Sequence, residues 1–249
     1  MNKVKIYPVW DAGTRWFHWI NALCLIGLLG VGITILYANS IDASDNGKVL
    51  LKTVHTYIGY VFAINLIWRF IWAFFGNRYA RWRAILPGGK GYLHALRSYI
   101  TAFISGPPQN YLGHNPVGRI GVTLLLILIT SQAITGLVLA GTDLFFPPFG
   151  NWIAQWVAAV GVDPSTLVPY SPQMYDSAAW DEMRAFRSPF ITLHELGFYL
   201  LLVTIVAHIA GVILTEKREG GALISAMITG EKMIRGEPVD EPEESDREP

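Results

Sequence analysis

Four apolar segments are long enough to cross a bilayer, and they restrict the fold more than any other feature of the chain. They cover about residues 16–37, 54–75, 120–140 and 190–215. A hydrocarbon core about 30 Å thick needs about 20 helical residues. The first segment has too long an apolar core for a cleaved signal peptide, and no small-residue cleavage site follows it. We therefore predict an all-α, polytopic integral membrane protein.

The basic residues are distributed unequally between the two sides that four spans define. The side with both termini and the 76–119 loop carries fourteen Lys and Arg residues. The opposite side carries only Lys48, Lys52, Arg184 and Arg187. Because Lys and Arg are enriched in cytoplasmic loops, we expect cytoplasmic N- and C-termini in the bacterial inner membrane.

Three segments outside the spans have distinct compositions. The 76–119 loop is basic, and its stretch YLHALRSYITAFI has the pattern of an amphipathic helix at the membrane surface. The periplasmic segment 141–189 is rich in aromatic residues and prolines, and its length is typical of a functional loop or a docking surface. Residues 231–249 contain eight acidic residues, which predicts a disordered tail after a transmembrane domain of residues 1–230.

Cys24 is the only cysteine in the chain. A single thiol excludes a disulfide framework, an iron–sulfur cluster held by this chain alone, and the C-x-x-C-H attachment of c-type haem. Inside the first span, we expect Cys24 to act as a small apolar side chain.

The fourth span carries two histidines in the almost wholly apolar stretch HELGFYLLLVTIVAH, residues 194–208. Fourteen helical residues place His194 and His208 about 40° apart around the helix axis and about 21 Å apart along it. Both side chains therefore point to the same side of the helix at two depths. Two polar groups arranged in this way indicate two stacked sites.

Two further histidines match these depths. His18 begins the first span on the cytoplasmic side, and His55 begins the second span on the periplasmic side. The topology thus pairs His55 with His194 and His18 with His208. Structural zinc would need four ligands at one depth, and copper would usually recruit Cys or Met. Haem iron needs two axial ligands per site, so we predict these four histidines as axial ligands; helix–helix hydrogen bonding is the alternative role.

Two arginines are candidates for binding the propionates of such haems. Arg15 lies one turn before His18. Arg69 lies in the cytoplasmic half of the second span, where an unpaired charge is costly. Arg69 is also a candidate for a quinone oxygen, and the alternative for both residues is a snorkelling side chain.

Glycines near the histidines, among them Gly32 and Gly136, would let a flat macrocycle approach the backbone or would serve helix packing. The two remaining histidines, His94 and His114, fall in the cytoplasmic loop. We expect turn or interface roles for them, with a quinone or proton role as the alternative.

Several motifs together resemble the b-type cytochrome subunit of membrane-bound nickel–iron hydrogenases. They are RWFHW at the start of the first span, HTYIGYVFAINLIWRFIWAFFGNRYAR through the second, GHNP before the third, and HELGFYL…AH in the fourth. The resemblance covers about residues 5–230, and its most specific part is the second-span string. Similar di-haem cytochromes b serve formate dehydrogenase, as its gamma subunit, and thiosulfate reductase.

The resemblance implies a four-helix bundle that holds two haems b. Carried over to this sequence, His18 and His208 would bind the cytoplasmic-side haem, and His55 and His194 the periplasmic-side haem. It also implies electron transfer from a periplasmic iron–sulfur partner to a membrane quinone. The chain would then be a subunit of a membrane oxidoreductase complex and not a stand-alone enzyme.

The periplasmic segment and the stretch TEKREGGALISAMITGEK after the fourth span differ from hydrogenase members. The expected redox partner is therefore either a hydrogenase small-subunit-like protein or a periplasmic cytochrome c. Membrane lipid is a further expected partner, and nucleic acid is not. Two alternatives stay open on the sequence: a proton or metal transporter that uses the intramembrane histidines, and a membrane anchor subunit that does not react with quinone.

Overall fold

A computed structural model describes residues 4–106, 109–220 and 222–241, and within these ranges the chain is mainly helical. The elements in chain order are strand β1 (Val4–Pro8), helices α1 (Ala12–Leu36), α2 (Asp45–Phe75), α3 (Trp82–Ile85), α4 (Tyr92–Ser105), α5 (Pro116–Leu144) and α6 (Gly150–Val157), two 3-10 turns (Pro164–Thr166 and Pro172–Met174), helices α7 (Ser177–Glu219) and α8 (Leu223–Thr229), and strand β2 (Glu231–Arg235).

Helices α1, α2, α5 and α7 are long and apolar enough to cross a membrane, with mean hydropathies of 2.2, 1.6, 2.2 and 2.3 in their most apolar windows. Large apolar side chains on them are exposed, for example Leu23 (69%), Ile64 (68%) and Val203 (68%). A continuous exposed apolar surface is unfavourable in water and favourable against lipid chains. The prediction of an all-α membrane protein with four spanning helices is confirmed.

Two of the spanning helices extend well beyond the apolar segments that predicted them. Helix α2 begins at Asp45 and helix α7 at Ser177, whereas the predicted spans begin at residues 54 and 190. At 1.5 Å per residue, the 43 residues of α7 measure about 65 Å, roughly twice the hydrocarbon thickness. Hydropathy marks only the part of a helix that lies in lipid, whereas its backbone hydrogen bonds continue into the polar flanks.

The chain forms two compact units, and each contains part of every spanning helix. Unit 1 comprises Met1–Trp19, Ile67–Ile127 and Leu202–Pro249, and unit 2 comprises Ile20–Leu66 and Leu128–Leu201. Each unit is described separately below for the residues that the structure covers.

Unit 1 contains a small sheet with its own buried core. Strand β1 pairs antiparallel with β2, from Val4 opposite Arg235 to Pro8 opposite Glu231. Ile234 of β2 is 1% exposed. The core of this region consists of Val9, Trp10, Tyr79, Leu112, Ala226 and Ile234.

The prediction of a disordered tail from residue 231 is wrong for its first part. Glu231–Arg235 form strand β2, because the backbone pairs with β1 and the apolar side chain of Ile234 is buried. The acidic composition of residues 231–249 hid this short strand, since its partner lies more than 220 residues earlier in the chain. Residues 242–249 of the predicted tail lie outside the described residues.

Asp11 organises the start of α1 in unit 1. Its carboxylate accepts hydrogen bonds from the backbone N–H of Thr14 (2.7 Å), from Trp72 Nε1 (3.0 Å) and from the backbone N–H of Asn77 (3.0 Å). It thus caps α1 and ties it to the end of α2. Burial raises the pKa of Asp11, but the hydrogen bonds outweigh burial and hold the pKa below its ordinary 3.8.

In unit 2, the segment between α5 and the apolar part of α7 is folded and compact. Helix α6 and the first turns of α7 enclose a core of Ile153, Val157, Tyr175 and Met183, each at most 8% exposed. The rings of Tyr175 and Trp180 stack with their centres 4.2 Å apart. The aromatic residues of the predicted 141–189 segment therefore build a rigid cap, which we call the aromatic cap (residues 145–190).

Candidate functional site

The structure brings His55 of α2 and His194 of α7 together inside unit 2. Their ring centres are 6.3 Å apart, and the ring planes are inclined by 74°. A metal ion between two imidazoles lies about 2 Å from each ligating nitrogen, which is itself about 1 Å from its ring centre, so the ring centres would be about 6 Å apart. The observed spacing therefore fits one metal ion bound between the two rings.

Helix α5 holds His194 in one orientation. The Thr135 hydroxyl, on a residue only 3% exposed, donates to the carbonyl of Ser131 at 2.7 Å and lies 2.8 Å from His194 Nδ1. Since the hydroxyl has a single proton, the oxygen accepts from Nδ1–H of His194. This hydrogen bond selects the tautomer in which Nε2 carries a free lone pair, as in metal-binding histidines. Gln132 Nε2 also donates to the His194 carbonyl at 3.2 Å.

Two glycines lie against the edges of these imidazoles. A Cβ atom at Gly32 would be 3.3 Å from His55 Cε1, and one at Gly136 would be 3.4 Å from His194 Cε1. Larger side chains at either position would displace the rings. The glycines thus make room for the histidine rings; the sequence predicted that they make room for a macrocycle or serve helix packing.

A cavity of about 400 Å³ in unit 2 includes both histidines in its wall. A side chain built at Gly59, also in this wall, would meet no atom within 4 Å. Most of the remaining wall is apolar, with Leu25, Leu28, Leu29, Leu51, Phe62, Leu137 and Phe198. The two imidazoles are separated by a distance that fits one metal ion, and the space beside them is apolar. Such a cavity fits a flat hydrophobic macrocycle such as haem.

An ion cluster lines the same cavity, formed by Lys52, Asp143 and Arg187. Lys52 Nζ is 2.6 Å from Asp143 Oδ2, Arg187 Nε is 2.5 Å from Oδ1, and Arg187 Nη2 is 3.0 Å from Oδ2. The side chains are only 24%, 14% and 24% exposed, respectively. Two cations on one carboxylate leave a net positive charge where solvation is poor, and such a place favours a further anionic group. A haem propionate is an anion of this kind.

The second predicted pair, His18 of α1 and His208 of α7, lies in unit 1. The two side chains are near enough to interact electrostatically. The ring neighbour described for His18 is Trp19, with centres 5.1 Å apart. Nδ1 of His18 is buried and has no hydrogen-bond partner in the described part of the chain. The two side chains thus lie in the same region of unit 1, and no close ring approach like that in unit 2 is found between them in the part of the chain that the structure describes.

The two predicted arginines both lie in unit 1 and each bonds one backbone carbonyl. Arg15 Nη1 donates to the carbonyl of Ile228 at the end of α8 at 2.5 Å. Arg69 is 5% exposed, donates from Nη2 to the carbonyl of Ala80 at 3.0 Å, and lies 5.7 Å from the ring centre of Phe17. Arg15 Nε and Arg69 Nη1 are buried without a partner among the described residues. Each arginine therefore makes one hydrogen bond to a backbone carbonyl and has one further buried nitrogen that could donate to a ligand.

The two loop histidines differ in their surroundings. His94 is exposed on α4. The ring of His114 lies 4.9 Å from that of Trp10, and its Nδ1 is buried without a partner in the residues described. Burial, assisted by the nearby charges of Arg69 and Lys232, lowers the pKa of His114 to about 3. His114 is therefore a neutral imidazole at physiological pH.

Sequence reasoning missed the residues that surround the His55–His194 pair. Lys52 was detectable because it lies three residues before His55 and so shares its helix face. Asp143 and Arg187 flank apolar segments, but only the fold shows that they meet. Thr135 gave no signal, because a threonine inside a helix usually bonds its own backbone.

In the described part of the chain, no group of three or more His, Cys, Asp or Glu residues could hold a metal ion. A zinc site built from protein ligands alone needs three or four such residues. The His55–His194 pair offers two imidazoles, and two imidazoles are a ligand set that haem iron can take from a protein.

The fold and the site define a multi-pass membrane cytochrome of the b type, in which haem is held without covalent attachment. The profile of the family described as prokaryotic cytochrome b561 matches residues 9–230, and the chain belongs to this family. It is accordingly a multi-pass protein of the bacterial inner membrane.

Curated relatives match along nearly the whole chain. A probable Ni/Fe-hydrogenase B-type cytochrome subunit of Bradyrhizobium diazoefficiens is 27% identical over 237 residues, covering 91% of this chain and 86% of the relative. One from Rhizobium leguminosarum bv. viciae is 29% identical, covering 91% and 89%. The probable Ni/Fe-hydrogenase 1 B-type cytochrome subunit of Escherichia coli K12 is 23% identical, covering 92% of each chain.

Proposed function

We propose that this protein is a di-haem cytochrome b that transfers electrons between a periplasmic redox partner and the quinone pool of the inner membrane. The observation that carries the proposal is the 6.3 Å spacing of the His55 and His194 rings beside an apolar cavity. Haem, when bound, supplies reversible one-electron transfer at its iron. The protein supplies axial ligands, charge and exclusion of water.

At the unit 2 site, His55 and His194 would hold the haem through its iron. Thr135 accepts from Nδ1–H of His194 and so keeps Nε2 available to the iron. The cluster of Lys52, Asp143 and Arg187 lies in the same cavity wall, where its net positive charge would bind a propionate. The surrounding leucines and phenylalanines keep water away from the site.

At the unit 1 site, His18 and His208 would hold the second haem through its iron. Arg15 and Arg69 each keep one buried donor without a partner among the described residues, and these donors would bind propionates. A quinone oxygen is the other candidate ligand for Arg69. His114, as a neutral imidazole with a free buried Nδ1, is a further candidate for the quinone.

The distribution of basic residues supports cytoplasmic termini. In this orientation the His18–His208 site faces the cytoplasmic half of the bilayer and the His55–His194 site the periplasmic half. Two haem sites at two depths support a route for electrons through the membrane, because α7 contributes one ligand to each site.

The names of the relatives support a hydrogenase-type partner for this chain. We propose that the partner binds at the aromatic cap, where Trp152, Val168 and Tyr170 are exposed by 54%, 52% and 42%. Exposed aromatic and aliphatic residues on a rigid surface are typical of protein interfaces. A periplasmic cytochrome c is the alternative partner, because the cap sequence differs from hydrogenase members.

The first test is haem stoichiometry of the detergent-purified protein by the pyridine haemochrome method, with a reduced-minus-oxidised spectrum. We expect about two b-type haems per chain with low-spin spectra. A folded but colourless protein would refute the proposal and favour a transporter that uses the histidines as a relay.

Single histidine substitutions test the pairing. His55→Ala and His194→Ala should remove the same haem, and His18→Ala and His208→Ala the other. Loss of the same haem in the His55→Ala and His18→Ala variants would contradict the assignment.

The quinone reaction is tested separately in variants that retain both haems. Arg69→Gln and His114→Gln should slow quinol oxidation. An unchanged rate in both variants would remove these residues from the quinone site and favour a membrane anchor subunit.

A further inference from the structure

A second cavity, of about 520 Å³, lies in unit 1 and contains none of the predicted haem ligands in its wall. Helix α3, the turn before α4 and the start of α5 form it. Its wall contains five cationic side chains, from Arg78, Arg81, Arg83, Lys90 and Arg119. We call this space the basic cavity.

The only carboxylate in the wall of the basic cavity, within the described residues, is that of Asp240. Its two oxygens already accept hydrogen bonds from the backbone N–H groups of Leu112 (2.6 Å) and Gly113 (3.0 Å). The ion pairs found across the described ranges involve Lys48, Lys52 and Arg187, and none of the five cations. His114, also in the wall, is neutral. The cavity therefore carries a large uncompensated positive charge.

Two of the five cationic side chains are held by hydrogen bonds to backbone carbonyls, and two others remain free to bind a ligand. Arg81 Nε donates to the carbonyl of Gly76 at 3.0 Å, and Arg119 Nη2 donates to the carbonyls of Arg83 (2.6 Å) and Leu86. The side chains of Arg83 and Lys90 have no hydrogen-bond or ion-pair partner in the ranges that the structure covers. A fixed arginine rim with free cations beside it is suited to a phosphate group, which accepts several charge-assisted hydrogen bonds.

The surroundings of the cavity indicate what the phosphate is attached to. The cavity lies between the end of spanning helix α2 and the start of spanning helix α5, hence at the level where a bilayer has its headgroups. Large apolar side chains within two residues of wall residues are exposed: Leu86 by 42%, Leu93 by 77% and Ile120 by 43%. A phosphate that carries acyl chains would complement both the charge of the cavity and these apolar side chains, whereas a water-soluble phosphate compound would complement the charge alone.

We propose that the basic cavity binds the phosphate group of an anionic phospholipid, with the acyl chains against the exposed side chains of Leu86, Leu93 and Ile120. Basic pockets at the ends of spanning helices bind anionic headgroups in this way. The site is independent of haem and of the redox partner, and it gives the α3–α4 region a fixed position at the membrane surface.

The test uses the full-length protein, delipidated in detergent, and native mass spectrometry with phosphatidylglycerol, cardiolipin or phosphatidylcholine. Arg83→Gln/Lys90→Gln removes two free cations of the cavity. Arg97→Gln/Lys217→Gln is the matched control, because both residues are exposed basic residues of unit 1 outside the cavity wall. The haem spectrum of each variant serves as the check on folding.

We expect the wild-type protein to bind phosphatidylglycerol or cardiolipin in preference to phosphatidylcholine. The cavity variant should lose affinity for the anionic lipid on the order of tenfold or more, and the control less than twofold. Equal losses in both variants would mean general attraction to the basic surface and would refute the site. Displacement of the lipid by inorganic phosphate at equal concentration would refute the lipid as its ligand and assign the cavity to a free phosphate anion.

Discussion

Thr135→Val is the sharpest test of how the chain positions an axial ligand. The substitution keeps the shape of a side chain that is 3% exposed, and it removes the oxygen 2.8 Å from His194 Nδ1. A buried N–H left without an acceptor costs about 1–3 kcal/mol. Because each 1.4 kcal/mol is a factor of ten in an equilibrium constant, haem affinity at this site should fall by about 5- to 150-fold, in the range seen when outer hydrogen bonds to metal ligands are removed.

The assay is titration of the haem-depleted protein with haem, followed by absorbance, and a potentiometric titration of the loaded protein. A weaker hydrogen bond from Nδ1–H makes the imidazole a poorer donor to the iron, so the midpoint potential of this haem should rise. Thr135→Ser keeps the hydroxyl and should behave like the wild-type protein in both measurements. Wild-type affinity and potential in Thr135→Val would refute the role of this hydrogen bond.

Three further predictions concern the ion cluster, the start of α1 and the glycines. Asp143→Asn leaves two poorly solvated cations facing each other and should destabilise the protein by about 2–4 kcal/mol in denaturant unfolding. The control, Asp45→Asn in an exposed ion pair, should cost less than about 0.5 kcal/mol. Equal effects of the two substitutions would contradict the burial of the cluster. The folded-state pKa of Asp11 is lowered, so its contribution is present above pH 3.8 and is lost as pH falls through the lower folded-state value. The Asp11→Asn protein should therefore lose less stability than the wild type when the pH is lowered from neutral to below 3.8, as measured by thermal unfolding, and parallel curves would contradict this. Gly32→Leu should displace the His55 ring and abolish one haem band in the absorbance spectrum. Gly30→Leu, whose added Cβ meets no atom within 4 Å, should keep both haem bands. Retention of both haems by the Gly32→Leu protein would contradict the close contact between Gly32 and His55.

The four spanning helices were predictable from the sequence alone, because transfer of a helix into lipid depends on the sum of its own residues. The extensions of these helices beyond the apolar segments were less predictable, because the first turns of α7 are polar and gain their stability from packing in the aromatic cap. Strand β2 was not predictable, because the acidic residues around Ile234 indicate disorder when its partner β1 is not considered.

The sequence predicts the histidine pairing only to the level of depth, because a helix of known rise places His194 and His208 at fixed heights and topology does the same for His18 and His55; the structure shows the close approach for His55 and His194. The distance between the rings of His55 and His194 was not predictable, because it depends on how closely α2 and α7 approach within unit 2. The same limit applies to the free donors of Arg15 and Arg69, whose carbonyl partners come from distant parts of the chain.

The sequence by itself determined the membrane location, the number of spans and the four candidate ligands, and its single cysteine leaves no C-x-x-C-H motif. Each of these follows from residue type and spacing along one helix. Only the tertiary structure decided that Thr135 orients His194, that Lys52, Asp143 and Arg187 meet on one cavity wall, and that five cations surround a space with no free carboxylate among the residues described. Hydrogen bonds and ion pairs of this kind join residues far apart in the chain, and their geometry exists only once the helices have packed.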